Sequence, residues 1–91
     1  MSVKIKLCDS YKSVIAGRPD FVEVEGTTID DCLKDLIAKH PHIEKYIYDY
    51  PGEMCKAILF FHNGLSISQD ELNRSVKDGD EIFPLMMIGG G

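Results

Sequence analysis

The chain has 91 residues, of which 44% are hydrophobic, and its formal net charge at pH 7 is −5. This length allows one domain with one core, and the apolar fraction argues against wholesale disorder. Because phosphate contacts need concentrated positive charge, the acidic composition disfavours nucleic-acid binding, and we expect protein partners with basic surfaces instead.

The first half of the chain predicts two strands and one helix. Val3 to Leu7 alternates apolar and polar residues, as a strand with one buried face does. After a loop over residues 9–20, the segment 21–25 resumes as a second strand. Thr27 or Thr28 then caps a helix, and Pro41 ends it. The apolar stripe of this helix consists of Ile29, Cys32, Leu33, Leu36, Ile37 and His40.

The second half predicts three more strands and two tight turns. The strands are 57–62, 65–67 and 81–86, and the turns are Asn63-Gly64 and Asp78-Gly79-Asp80. The near-continuous hydrophobicity of residues 57–62 indicates burial on both faces. Residues 42–56 predict only a short amphipathic helix, carrying Ile43, Tyr46, Ile47 and Tyr50, that breaks at Pro51-Gly52.

This order of elements predicts an α+β domain. One main helix covers one face of a mixed sheet of four to five strands. The connection through the helix places two of the strands parallel. We expect this domain to occupy residues 1–88, followed by a flexible C-terminal tail over 89–91.

The tail is the most informative segment of the chain. Gly89, Gly90 and Gly91 follow the apolar residues Leu85, Met86, Met87 and Ile88. Glycine has no Cβ and admits close approach to the backbone, so such a tail fits a channel too narrow for side chains. We expect the terminal carboxylate of Gly91 to be the working group.

Several short motifs of this chain occur in the order found in a known protein family. They are Val3 to Leu7, Val24-Glu25-Gly26-Thr27-Thr28, His40-Pro41, Asn63-Gly64, Val76 to Ile82, and Gly90-Gly91. Together they make the chain resemble the β-grasp, ubiquitin-like sulfur carriers of molybdopterin and thiamin biosynthesis. The resemblance implies a β-grasp fold and a non-catalytic carrier.

The resemblance also implies a chemistry for Gly91. A ubiquitin-activating-type enzyme uses ATP to adenylate the terminal carboxylate, and a persulfide protein supplies sulfur, so that Gly91 becomes a thiocarboxylate. Gly89 and Gly90 thread the partner's active site, and residues 85–88 dock on its surface. The carrier itself holds no permanent cofactor, metal or catalytic residue.

Residues 42–56 favour the molybdopterin-synthase small-subunit branch, because thiamin carriers have little between helix and Asn-Gly strand. The chain lacks the Phe-Pro-Pro-Val-like segment of that branch, however, and ends Gly-Gly-Gly. Carriers for thiamin, cysteine or homocysteine synthesis therefore stay open as alternatives. So do a ubiquitin-like modifier that forms an amide with lysine, and a plain β-grasp binding module.

Other chemistry-bearing residues have simpler interpretations. His40, His42 and His62 lack the ligand pairing of a zinc site. Cys8, Cys32 and Cys55 form no Cys-x-x-Cys motif and are expected to be packing groups in a reduced, cytoplasmic protein. Asp78, Asp80 and Glu81 are expected to form a turn. No apolar run approaches the roughly 20 residues that span a bilayer.

Overall fold

The computed structural model describes residues 2–87. In chain order, its elements are β1 (Ser2–Lys6), α1 (Asp9–Lys12), β2 (Phe21–Glu25), α2 (Ile29–Lys39), α3 (Glu44–Ile47), β3 (Tyr48–Tyr50), β4 (Glu53–Met54), β5 (Ile58–His62), β6 (Leu65–Ile67) and β7 (Glu81–Met86). Five strands form a mixed sheet in the order β2-β1-β7-β5-β6. β1 and β7 are parallel, and the other neighbours are antiparallel. The predicted α+β sheet is therefore confirmed.

Helix α2 covers one face of the sheet, and its limits follow from its end residues. Thr28 caps the first turn, since its hydroxyl accepts a hydrogen bond from the N–H of Asp31 at 3.1 Å. Pro41 begins a separate 3-10 turn after His40. The buried side chains of α2 are Ile29, Cys32, Leu33 and Leu36. They pack against the inward residues of the sheet in one core, so the predicted stripe is confirmed except at half-buried Ile37 and His40.

The loop between the first two strands is more ordered than the sequence indicates. It contains the single-turn helix α1, and the Tyr11 ring is fully buried. The Tyr11 hydroxyl donates a hydrogen bond of 3.2 Å to the carbonyl of Tyr46, so its polar end is satisfied. A helix of one turn is too short to produce a recognisable period in the sequence.

The interval 42–56 folds as a 3-10 turn, helix α3 and the β3–β4 hairpin. Ile43 and Ile47 are buried as the predicted helical face requires, whereas Tyr46 and Tyr50 are 36% and 68% exposed. The break at Pro51-Gly52 is the turn of the hairpin, with Gly52 at φ 80°. Strands of two and three residues are too short for their alternation to be visible.

Both predicted tight turns are confirmed. Asn63 and Gly64 have φ values of 50° and 83°, the left-handed pair that a type I′ turn needs, and Gly79 has φ 87°. The prediction that residues 57–62 are buried on both faces is wrong. The inward side chains of β5 are buried, but Leu59 points to the opposite face and is 43% exposed.

Candidate functional site at the tail end of the sheet

The last strand leads directly to the predicted tail. β7 ends at Met86, and the N–H of Met87 donates a hydrogen bond of 2.9 Å to the carbonyl of Ala57. Ile88 and the glycines 89–91 lie outside the described residues, and so does the predicted domain boundary at residue 88. Their roles in docking, threading and carboxylate activation stay predictions.

The strand geometry separates the residues predicted to dock on a partner. Successive side chains of a strand point to opposite faces of a sheet. Leu85 lies on the face away from α2, whereas Met86 packs against the core and Met87 is 49% exposed. Within the described residues, Leu85 and Met87 are thus the members of this segment available to a partner.

The face away from α2 has no element packed on it among the described residues. At the end of the sheet where β7 finishes, this face is largely apolar. We call the following residues the open-face patch: Phe21, Leu59, Phe61, Phe83 and Leu85. Phe21 and Leu59 are 44% and 43% exposed, and the other three are half-buried. Exposed apolar clusters of this kind mark interaction sites.

The strand registers assemble this patch from distant parts of the sequence. Leu85 lies opposite Leu59, and Phe83 lies opposite Phe61 with ring centroids 6.0 Å apart. Phe21 joins them from β2, opposite Lys6 of β1. The sequence analysis predicted Leu85 as a docking residue, assigned Phe61 to the core and did not identify Phe21, Leu59 or Phe83 as part of a surface. The signal was present in the strict alternation of β1, which implies one uncovered face.

Two lysines of β1 lie on the same face as the open-face patch, and Lys6 lies between Phe21 and Phe83. The ammonium group of Lys4 lies 4.7 Å from the Phe21 ring centroid, and that of Lys6 lies 5.4 Å from the Phe83 centroid. Such cation–π contacts keep positive charge beside the aromatic rings. Acidic residues Glu25 and Glu81 lie toward the opposite ends of their strands. The expectation of a basic partner surface therefore fits the far end of this face better than the patch.

His62 and Asp80 form a polar cluster that serves structure. Asp80 accepts hydrogen bonds from His62 Nε2 at 2.8 Å, from the N–H of Lys77 at 2.9 Å and from Asn63 Nδ2 at 3.0 Å. These bonds, with His62 contributing most, lower the pKa of Asp80 to about 2. The carboxylate is thus ionised at neutral pH and shapes the turn, as the sequence indicated.

Cys32 is the buried cysteine of the described residues, and Cys8 and Cys55 are half-buried against the core. No group of three or more His, Cys, Asp or Glu side chains within residues 2–87 is arranged to hold a metal ion. Cys32 is fully buried on α2, and burial raises the pKa of its thiol to about 11. Since the thiolate is the nucleophile, this shift makes Cys32 an inert packing group.

A groove of about 460 Å³ lies between α2 and the β3–β4 hairpin, away from the open-face patch. Its walls carry the cations Lys34 and Lys45 and the acids Glu44 and Asp49. These charges balance, and Lys34 is already paired with Asp30 at 3.1 Å. The groove therefore selects no particular ligand charge.

We compared this architecture with those of known proteins. No protein-family model matches the chain. Small archaeal modifier protein 1 of Haloferax volcanii is 29% identical over 87 residues, covering 94% of this chain and 97% of that protein. Its crystal structure aligns over all of both chains with a TM-score of 0.85 and 28% identity. The chain has the ubiquitin-like β-grasp fold. The sequence resemblance to the β-grasp carriers is thereby confirmed.

Further solved structures share this β-grasp fold. Small archaeal modifier protein 1 of Methanosarcina acetivorans aligns with a TM-score of 0.83 at 29% identity, covering 99% of this chain and 96% of that one. A chain of the Amycolatopsis orientalis BexX/CysO complex has a TM-score of 0.80 at 23% identity, covering 98% of this chain and 99% of that one. The complex of subunits 1 and 2 of molybdopterin-converting factor from Helicobacter pylori gives 0.63 at 18%, covering both chains fully. At these last two identities the likeness concerns the fold alone.

The relatives of this β-grasp protein are small modifier proteins, and fold neighbours occur in complexes with other proteins. Within residues 2–87, no helix has the length and apolar character needed to cross a bilayer.

Proposed function

We propose that this β-grasp protein is a sulfur carrier whose working group is the carboxylate of Gly91. The observation that carries the proposal is the position of β7. This strand leaves the sheet beside the open-face patch and continues, after Met87, toward three glycines. A folded domain with an exposed apolar patch and a glycine extension is suited to deliver its chain end into another protein's active site.

The proposed chemistry begins with activation, because a carboxylate carbon is a poor electrophile. An adenylating enzyme of the ubiquitin-activating type joins the Gly91 carboxylate to AMP and releases pyrophosphate from ATP. The terminal sulfur of a persulfide on a donor protein then displaces AMP. A thiol reduces the resulting acyl disulfide, which leaves the thiocarboxylate on Gly91. This ionised sulfur is the nucleophile that the acceptor receives.

The open-face patch is the proposed docking surface for these partners. Leu59 and Leu85 are neighbours on β5 and β7, at the strand ends nearest the tail. A partner seated there holds Gly89 and Gly90 in the channel that leads to its reacting centre. Lys6, which lies between Phe21 and Phe83, favours a partner carboxylate within the interface.

The first candidate for the sulfur acceptor is a molybdopterin-synthase-type large subunit, as the length of the 42–56 interval suggests. The alternative acceptors are enzymes of thiamin, cysteine or homocysteine synthesis. Reconstitution separates these possibilities: the purified thiocarboxylated protein is mixed with each large partner, and loss of its sulfur is followed. Transfer to a cysteine synthase, and not to the molybdopterin-type subunit, would reassign the acceptor.

Intact-mass spectrometry of the protein isolated from its own host tests the carrier proposal. We expect a species heavier than the unmodified chain by the difference between sulfur and oxygen. Deleting Gly90 and Gly91 should abolish this species and leave the fold intact, because terminal glycines contribute little to packing. A truncated protein that still supported sulfur transfer would contradict the proposal.

A second candidate function is protein modification, and the printed name of the Haloferax and Methanosarcina relatives favours it. In that reaction a lysine amine of a target protein displaces AMP and forms an amide with Gly91. The same mass spectra discriminate, since conjugation yields species larger than the chain by an entire target protein. Isopeptide-linked peptides after digestion would identify the modifier role.

A further inference from the structure

The side chain of Gln69 bridges two backbone carbonyl groups. Its Nε2 atom donates a hydrogen bond of 2.9 Å to the carbonyl of Cys55 and another of 3.0 Å to the carbonyl of Ile58. Both partners can only accept, so the amide nitrogen, and not the oxygen, must face them. Gln69 is half-buried, which strengthens both bonds relative to solvent-exposed ones.

The edge of the sheet explains why a side chain is needed at this place. β6 ends at Ile67, which pairs with Phe60. The carbonyl of Ile58, two residues earlier on β5, therefore lies beyond the last backbone pairing with β6. Gln69 supplies the missing donor. A capping box fixes its own position, because the Glu71 carboxylate accepts from the Ser68 N–H at 3.0 Å.

The turn that Gln69 bonds also bonds Met87, which follows β7. The N–H of Ile58 bonds the carbonyl of Cys55 at 3.4 Å, which closes a turn at residues 56–57. Within this turn, the Ala57 carbonyl accepts from the N–H of Met87 at 2.9 Å. Met87 is the last described residue before the tail. The Gln69 amide thus bonds both ends of this turn. The middle of the turn, at Ala57, bonds the residue that follows β7.

We propose that Gln69 is a positioning residue for the tail. Its two hydrogen bonds fix the turn at residues 55–58, and through the Ala57–Met87 bond they set where and in which direction the chain leaves the sheet. This inference rests on the proposed carrier function. It adds to that function a side chain that bonds the turn at residues 55–58 and thereby governs how Gly91 is presented.

The sharpest test is Q69E, which keeps the shape of the side chain and, at neutral pH, removes both donors. N73D makes the same amide-to-acid change on an exposed residue of the same loop and serves as the matched control. Hydrogen exchange of backbone amides is then compared by NMR. In Q69E we expect roughly tenfold faster exchange at Met87 and Ile58. We expect no change at Lys4, whose N–H bonds the carbonyl of Asp80 at the opposite end of the sheet.

Q69M removes the donors without adding a charge, and it replaces Q69E if the acid prevents folding. Unchanged exchange at Met87 in the folded donor-free variants would overturn the proposal. N73D should exchange like the wild-type protein, and an equal effect in N73D would also overturn it, because the loop charge would then be the cause.

The second readout is the thiocarboxylated share of the folded protein in its own host. We expect this share to fall severalfold in Q69E and Q69M relative to N73D. A purely structural role would lower the amount of folded protein and leave the loaded share unchanged, which would overturn the positioning role. A wild-type protein that is never thiocarboxylated would instead contradict the proposed function, while the exchange of Met87 would still decide whether Gln69 holds the turn.

Discussion

His62 of β5 lies beside Asp80, which directly precedes the neighbouring strand β7, with 2.8 Å between Nε2 of the imidazole and Oδ2 of the carboxylate. The same carboxylate binds the side chain of Asn63 and the N–H of Lys77, and the carbonyl of Asp80 accepts from the N–H of Lys4 at 2.9 Å. This one residue therefore joins the β5–β6 turn, the loop before β7 and the first strand. It ties together the end of the sheet opposite the tail.

Asp80 should make stability depend on pH in acid. Its pKa is lowered from 3.8 to about 2 in the folded protein, so its stabilising effect is complete above pH 3.8 and is lost as the pH falls through about 2. We expect D80N to cost about 1–2 kcal/mol at pH 7. The gap in unfolding free energy between D80N and wild type, measured in urea, should narrow in acid. D49N, at an exposed hairpin position, should show no such gap. A gap independent of pH would contradict this role.

The proton of neutral His62 should reside on Nε2. Arg74 Nε donates to His62 Nδ1 at 3.3 Å, so Nδ1 must offer its lone pair, while Nε2 faces the Asp80 carboxylate. Long-range proton–nitrogen NMR correlation spectra distinguish the two tautomers directly. Detection of the Nδ1-protonated form at alkaline pH would show that the Arg74 contact is absent in solution.

The open-face patch is expected to serve docking more than folding. Leu59→Glu places a charge on the exposed side of β5, so we expect a loss of stability below about 1 kcal/mol. The thiocarboxylated share should nevertheless fall at least tenfold, because a buried unpaired carboxylate opposes docking. Leu65→Glu, on an even more exposed residue at the edge of the sheet, is the matched control and should leave the share unchanged. Equal effects of the two substitutions would argue against a specific surface.

Gly26 should tolerate no side chain. A Cβ built there lies 2.9 Å from the backbone nitrogen of Cys32 and 2.9 Å from the Cβ of Asp31, both in α2. Because backbone cannot easily move aside, we expect Gly26→Ala to destabilise the protein by about 1–3 kcal/mol in thermal or urea unfolding. Gly17→Ala meets no atom within 4 Å and is strained only by its φ of 83°, so its cost should be smaller. The reverse order would mean that the Gly26 contact relaxes easily.

Much of this fold was predictable because its signals are local. The alternation of β1, the Thr28 cap and the Asn63-Gly64 turn each depend on a few neighbouring residues and predicted their elements correctly. Helix α1 and the β3–β4 hairpin escaped prediction because elements of two to four residues show no period. The full burial predicted for residues 57–62 failed for another reason. An apolar run does not reveal whether anything covers its second face.

The amino-acid sequence by itself predicted most of the strands, the main helix and the tight turns, since turn residues, caps and hydrophobic period depend on short stretches of chain. The β-grasp fold and the role of the glycine tail followed from the resemblance of its motifs to a known family. Only the tertiary structure decided which apolar residues meet on the open face. Phe21, Leu59 and Phe83 come from three strands, and the strand registers bring them to the same end of the open face, with Lys6 of β1 between Phe21 and Phe83. The tertiary structure also revealed the role proposed for Gln69, because the sequence does not show which carbonyl groups folding brings beside this side chain.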